Sequence, residues 1–100
     1  NSLRKKILRF IKEVEKKNIH VKQTILFGSH ARGNPDEFSD IDLAIVSDEF
    51  TGIRFNHYDL FIDGILNVDK SIEPIAFKTS DFTMDDPLVS EILSYGISIS

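Results

Sequence analysis

Residues 28–42 of the 100-residue chain read GSHARGNPDEFSDID, and an apolar run stands on each side of this stretch. The run before it, residues 19–27, is rich in β-branched and aromatic residues and predicts a strand that the Gly-Ser pair ends. The run after it, residues 40–46, first alternates polar and apolar residues and then becomes apolar on both faces, as a central strand does. The stretch therefore predicts two strands joined by a turn-rich connection over residues 30–38.

Helical and strand patterns alternate along the rest of the chain. Apolar residues spaced three and four apart predict helices, and Asp86 before Pro87 is a typical helix start. The predicted elements are a helix over 2–17, strands over 19–27 and 40–46, a helix over 51–66, a strand over 71–77, a helix over 87–95 and a short terminal strand around Ile97 and Ile99. They predict an α/β (α+β) fold, a small mixed β-sheet flanked by helices, in one domain spanning residues 1–100.

Composition narrows the possible functions. The net charge of −4 argues against a general nucleic-acid binder, which is normally basic. The chain has no cysteine, so disulfides and thiolate zinc sites are excluded and a cytoplasmic location is expected. No apolar run approaches the ~20 residues that span a bilayer, so no membrane association is expected. The basic residues of the first helix are interpreted as a solvated face.

Asp40 and Asp42 are separated by one residue in a predicted strand. Alternate side chains share a face, so the two carboxylates are expected within ~7 Å of each other. Like charges this close raise each other's proton affinity, and a divalent cation relieves the repulsion. Mg²⁺ is bound by a few carboxylates together with water and substrate phosphates. The pair is a candidate Mg²⁺ site; the alternative is two polar residues at a strand edge.

Gly28 and Ser29 follow the first strand directly. A glycine allows a sharp turn and the close approach of another group. If residues 29–33 begin a helical turn, their free amides would form an anion site suited to a phosphate. Ser29 adds a hydroxyl donor, and Arg32 adds a guanidinium for phosphate oxygens. Taken alone, a Gly-Ser pair at a strand end is usually an ordinary turn.

The two features occur together, and the ten residues from His30 to Ser39 separate them. This order resembles the minimal nucleotidyltransferases of the polymerase-β-like superfamily, whose signature is Gly-Ser, about ten residues, then Asp-x-Asp. The segments FGSHARG and SDIDLAIV are also similar to that family. The resemblance continues through the predicted helix over 51–66, the strand IEPIAF and the closing ILSYGISI, so it covers nearly the whole chain.

The resemblance implies a role for each matching residue. Gly28 and Ser29 would hold the triphosphate of a nucleotide, and Arg32 stands where relatives often carry a phosphate-binding arginine. Asp40 and Asp42 would bind one or two Mg²⁺ ions, which activate the attacking oxygen and stabilise the leaving pyrophosphate.

The family also has a third carboxylate, usually an aspartate, on the next strand. Glu73 is the candidate here, as a metal ligand or as the general base for the acceptor hydroxyl. Asp63 and Asp69 are held in reserve, and a solvent-facing glutamate at a strand end is the competing interpretation. His30 replaces an arginine frequent in the family, and it could touch the nucleotide or face solvent.

Other conspicuous side chains are assigned to structure. His20 and His57 are expected to be packing or surface residues. Tyr58 and Phe61 are expected to pack their helix and not to stack on a base.

The implied reaction is transfer of a nucleoside monophosphate, with AMP from ATP expected, to an acceptor hydroxyl. Minimal nucleotidyltransferases often act as antitoxins that transfer AMP to a tyrosine of a small helical HEPN toxin, a ribonuclease. The leading hypothesis is that this chain acts in the same way with Mg²⁺ and ATP. Two alternatives stay open: a non-catalytic module that neutralises its partner by binding, and transfer to a small molecule such as an antibiotic. No residue pattern identifies the base.

Overall fold

The computed structural model describes residues 2–50 and 57–100. Its elements are α1 (Ser2–Glu15), β1 (Gln23–Phe27), α2 (Ser29–Arg32), β2 (Ile41–Ser47), α3 (Tyr58–Val68), β3 (Ile72–Lys78), a 3₁₀ turn (Thr79–Asp81), α4 (Pro87–Tyr95) and β4 (Ile97–Ser98). The strands form one four-stranded sheet in the order β3-β2-β1-β4. β2 and β3 run parallel, whereas β1 is antiparallel to both β2 and β4. The predicted mixed sheet with flanking helices is confirmed.

The first strand is shorter than predicted, because residues 19–22 lie outside β1. Asn18 has a φ of 63°, the left-handed conformation expected at the end of α1. Ile19 and Val21 are buried nevertheless. Side chains partner the backbone of this connection: the amide of His20 donates to Glu49 at 3.0 Å, and that of Val21 to Glu15 at 3.3 Å. Apolar residues of an irregular segment therefore contribute to the core here. The sequence pattern of such a segment is the same as that of a strand.

The remaining elements agree closely with the predicted ones. α3 extends to Val68, and residues 51–56 of the predicted helix lie outside the described residues. α4 begins and ends as predicted, and the Asp86 side chain caps it by accepting a hydrogen bond from the Leu88 amide at 2.9 Å. Within the described ranges, no helix has the length and apolar character needed to cross a membrane.

Helices cover both faces of the sheet, and each face has its own apolar core. The core against α1 and α3 includes Leu43 and Ile45 of β2, whereas the core against α4 includes Ala44 and Val46 of the same strand. Side chains alternate across a strand, so Asp42 lies on the α4 face. The candidate site is therefore on that face.

The aromatic residues around α3 have different environments. Phe61 is 4% exposed, and His57 is 3% exposed with its ring centroid 4.8 Å from that of Phe50. Both are packing residues, as predicted. The packing predicted for Tyr58 is wrong: its side chain is 61% exposed at the first residue of α3, where the helix begins.

Candidate active site

The ends of three adjacent strands meet where the chemistry was predicted. β1 is antiparallel to β2 and β3, so its last residue lies beside their first ones. The register pairs Phe27 with Asp42 and Asp42 with Glu73. Paired residues on neighbouring strands project to the same face at a spacing of ~4.8 Å. Glu73, on the neighbouring strand, therefore stands directly beside Asp42.

Gly28 packs against the Asp42 carboxylate. A Cβ added to Gly28 would lie 2.2 Å from Asp42 Oδ2, which is far inside van der Waals contact. Gly28 also has a φ of 75°, a conformation that side chains disfavour. Two independent constraints therefore require glycine here, and the first makes the Gly-Ser turn part of the Asp42 environment.

The acidic residues repel one another around Asp42. Burial raises the pKa of Asp42, the charges of Asp40 and Glu73 raise it further, and His30 acts in the opposite direction. Among the described residues none of the three carboxylates forms an ion pair. Asp40 is exposed and lies just before β2, so of the two aspartates predicted in this strand only Asp42 is a strand residue. The result is a concentration of negative charge that, within residues 2–50 and 57–100, no ion pair neutralises.

This charge fits a divalent cation that takes part of its coordination from a substrate. Over residues 2–50 and 57–100, no three carboxylate or imidazole groups converge into a complete metal site. Mg²⁺ does not require one, because it usually binds one or two carboxylates plus water and phosphate oxygens. Asp42 with Asp40 or Glu73 supplies that number, and their mutual repulsion is the condition that a cation relieves.

The turn after Gly28 is helical, as considered from the sequence, but it offers fewer free amides than expected. The amides of Ala31 and Arg32 both donate to the Gly28 carbonyl at 3.1 Å, and that of Gly33 donates to the Ser29 carbonyl. Only the amides of Ser29 and His30 in this turn have no hydrogen-bond partner among the described residues. The expectation of free amides over residues 29–33 is therefore corrected to these two.

Arg32 points towards α4. Its Nη2 donates to Glu91 Oε1 at 2.7 Å, and its guanidinium carbon lies 5.1 Å from the centroid of the Tyr95 ring. These residues border a cavity of about 240 Å³ that also touches Gly28. Sequence reasoning missed Glu91 and Tyr95: their spacing of four places them on one helix face, but no local signal directs that face to Arg32.

The two reserve carboxylates belong to other parts of the molecule. Asp69 pairs with Lys6 at 2.6 Å, and Asp63 pairs with Lys17 at 2.6 Å. The Lys6 ammonium, helped by hydrogen bonds from Ser71, lowers the pKa of Asp69 to about 2. Of the three candidates for a third carboxylate, Glu73 is the one adjacent to Asp42.

A second cavity of about 470 Å³ opens on the other side of Glu73. It lies between α3 and β3 and is lined mainly by apolar and aromatic side chains, among them Tyr58, Phe61 and Ile65. Glu73 therefore has the acidic site on one side and an apolar cleft on the other.

The chain is similar to several known proteins. Residues 5–98 match the family described as nucleotidyltransferase domain. Two similar proteins come from Methanocaldococcus jannaschii. "Putative protein adenylyltransferase MJ1215" is 38% identical over 65 residues, 64% of this chain and 76% of that protein. MJ0141, with the same designation, is 33% identical over 79 residues, 77% of each chain. No solved structure matches the chain significantly.

The chain belongs to the nucleotidyltransferase domain family. Within that class it is a minimal nucleotidyltransferase, and the predicted enzyme class is confirmed.

Proposed function

We propose that this protein transfers AMP from Mg-ATP to a hydroxyl group of a partner protein. One observation carries the proposal: Asp42 is in contact with Gly28, stands beside Glu73 and has a raised pKa. A carboxylate held between a glycine turn and a second carboxylate, with no ion pair among the described residues, suits a metal-bound triphosphate. The designation of the relatives as protein adenylyltransferases supports AMP as the transferred group and a protein as its acceptor.

Each residue of the site has a proposed role. Gly28 leaves room for the phosphate chain, and Ser29 donates to it through its hydroxyl and its amide. Asp40 and Asp42, with Glu73 as the candidate third carboxylate, would hold Mg²⁺, which when bound neutralises charge on the phosphates. Arg32 would bind phosphate oxygens from the α4 side.

We propose that Glu73 acts as the general base. In the proposed reaction the acceptor hydroxyl gives its proton to the Glu73 carboxylate as its oxygen forms a bond to the α-phosphorus. The bond from that phosphorus to the bridging oxygen of pyrophosphate breaks, and pyrophosphate leaves with the electron pair. A base on the edge strand β3 suits an acceptor that arrives from outside the nucleotide site, because the apolar cleft adjoins it.

We further propose that the acceptor is a tyrosine of a small helical HEPN-type toxin, and that transfer makes this chain an antitoxin. A phenol ring is compatible with the cleft beside Glu73, which is bordered by Tyr58 and Phe61. The use of ATP as donor is consistent with action in the cytoplasm. Transfer to a small molecule is the alternative acceptor class.

The deciding experiment combines the purified protein, Mg²⁺, α-labelled ATP and the helical protein encoded beside it. We expect label on the partner, an increase of one AMP in its mass, and loss of both with Asp42→Asn. Absence of label with all four nucleoside triphosphates would refute the transfer. If Asp42→Asn still neutralises the partner in full, binding alone is the function. Label on an antibiotic in the absence of any protein acceptor would favour the small-molecule reaction.

A further inference from the structure

Two residues of α4 restrain the Arg32 guanidinium. The hydrogen bond from Nη2 to Glu91 restrains one edge, and the Tyr95 ring restrains one face. Both partners come from one side of a single helix, four residues apart. The guanidinium is therefore held in orientation as well as in position.

The helix that carries these partners is fixed by the core. Ile92, which follows Glu91, is 1% exposed, and Val89 is fully buried. Glu91 and Tyr95 therefore project from a backbone that packing holds in place. Ordering a long arginine side chain costs conformational entropy. Because the two partners already order the side chain in the free protein, less entropy is lost when a ligand binds.

The restrained guanidinium lines the same cavity as Gly28 of the acidic site. The cavity wall passes from Arg32 to Gly28, and Gly28 contacts the Asp42 carboxylate. A guanidinium has five N–H donors, so the bond to Glu91 leaves donors for phosphate oxygens. Glu91 is 57% exposed, so solvent screens its charge and the guanidinium keeps its attraction for a phosphate.

We propose, building on the nucleotidyl transfer proposed above, that Glu91 and Tyr95 are positioning residues that hold Arg32 for the phosphate chain of the nucleotide. They act through Arg32 and do not touch the reacting atoms. Their loss weakens nucleotide binding and leaves the chemical step intact, because metal binding and the general base belong to other residues.

The first test measures binding of the non-transferable analogue α,β-methylene-ATP with Mg²⁺ by calorimetry. Glu91→Gln and Tyr95→Leu are each expected to raise its Kd about three- to fivefold, the scale of one exposed ion pair or one cation–π contact. In the transfer assay the same variants raise KM for ATP by a similar factor and leave kcat within about twofold. Tighter binding by Glu91→Gln would overturn the proposal, because the ion pair would then compete with phosphate.

A double-mutant cycle separates positioning from a general structural effect. In an Arg32→Ala background, Glu91→Gln is expected to have no further effect on the Kd. An equal loss in both backgrounds would refute action through Arg32. Asp63→Asn is the matched control, because its ion pair with Lys17 has a similar length, 2.6 Å, and a similar exposure, 55%. This variant should bind the analogue like the parent protein.

The two proposals can fail separately. Transfer to the partner with unchanged analogue binding by Glu91→Gln would remove the role of α4 and leave the proposed function standing. Weaker binding by that variant, in a protein that labels no acceptor, would support the role of α4 and remove the proposed reaction.

Discussion

Asp42 and Asp69 stand near the same end of the sheet, one in β2 and the other just before β3, and their surroundings are opposite. Asp69 has the Lys6 ammonium at 2.6 Å and two hydrogen bonds from Ser71, which together lower its pKa to about 2. Asp42 is half-buried near two other carboxylates, and its pKa is raised. Asp69 forms an ion pair, whereas Asp42 forms none within the described part of the chain. A carboxylate with partners stabilises the fold, whereas one without them is available to bind a cation.

Among substitutions that test this contrast between Asp42 and Asp69, the largest effect is expected for Glu73→Ala, which removes the carboxylate beside Asp42. Removal of the proposed general base is expected to lower turnover by about 10²–10⁴-fold. Binding of α,β-methylene-ATP should persist, because Gly28, Ser29 and the Asp42 carboxylate remain. Single-turnover transfer and calorimetry measure the two properties. Near-normal turnover would remove Glu73 from the site and make it a solvent-facing residue.

Asp42→Asn should separate activity from stability. We expect transfer to fall by on the order of 10²–10³-fold, because a proposed Mg²⁺ ligand is lost. The folded protein should become more stable at pH 7. The pKa of Asp42 is higher folded than unfolded, so its ionised form destabilises the fold at pH values above the folded pKa. This cost disappears as the pH falls below the ordinary value of 3.8.

Urea unfolding at pH 7 and at low pH measures this difference. The parent protein and Asp42→Asn should converge in stability at low pH. A variant that is less stable at pH 7 would contradict the view that Asp42 lacks compensating partners.

Gly28→Ala tests the contact between the turn and Asp42. The new methyl group would lie 2.2 Å from Oδ2, so the carboxylate must move and transfer should fall by on the order of 10²-fold. Gly33→Ala is the matched control, because Gly33 has a φ of 80° and no atom within 4 Å of an added Cβ. Both substitutions strain a positive φ by about 1 kcal/mol, but only the first should abolish most activity. Equal activities would show that the contact is unimportant.

The smallest effect is expected for Asp69→Asn. Its lowered pKa means that the ionised carboxylate stabilises the fold above pH 3.8, and this contribution is lost as the pH falls towards about 2. We expect a loss of about 1 kcal/mol at neutral pH, reduced by solvent screening of the partly exposed pair. Urea unfolding should show this loss of stability at neutral pH and not at about pH 2. Transfer should be unchanged. A loss that persisted at pH 2 would not come from the ion pair.

The sequence alone predicts most of the helices and strands, because caps and apolar periodicities are local features of the chain. Asp86 and Pro87 mark the start of α4, and the alternation after Asp40 marks β2, since caps and periodicities act over a few residues. Residues 19–22 and Tyr58 were assigned wrongly because apolar character indicates burial without specifying the backbone or the direction of a side chain.

By itself the sequence determined that a Gly-Ser turn ends one strand and that an Asp-x-Asp pair stands at the start of the next strand along the chain, because both are short-range patterns. Only the tertiary structure decided which carboxylate lies beside Asp42, since the parallel register of β2 and β3 pairs Glu73 with it, whereas Lys6 holds Asp69 elsewhere. It also decided that α4 holds Arg32 through Glu91. These choices depend on contacts between residues far apart in the chain, which no local pattern contains.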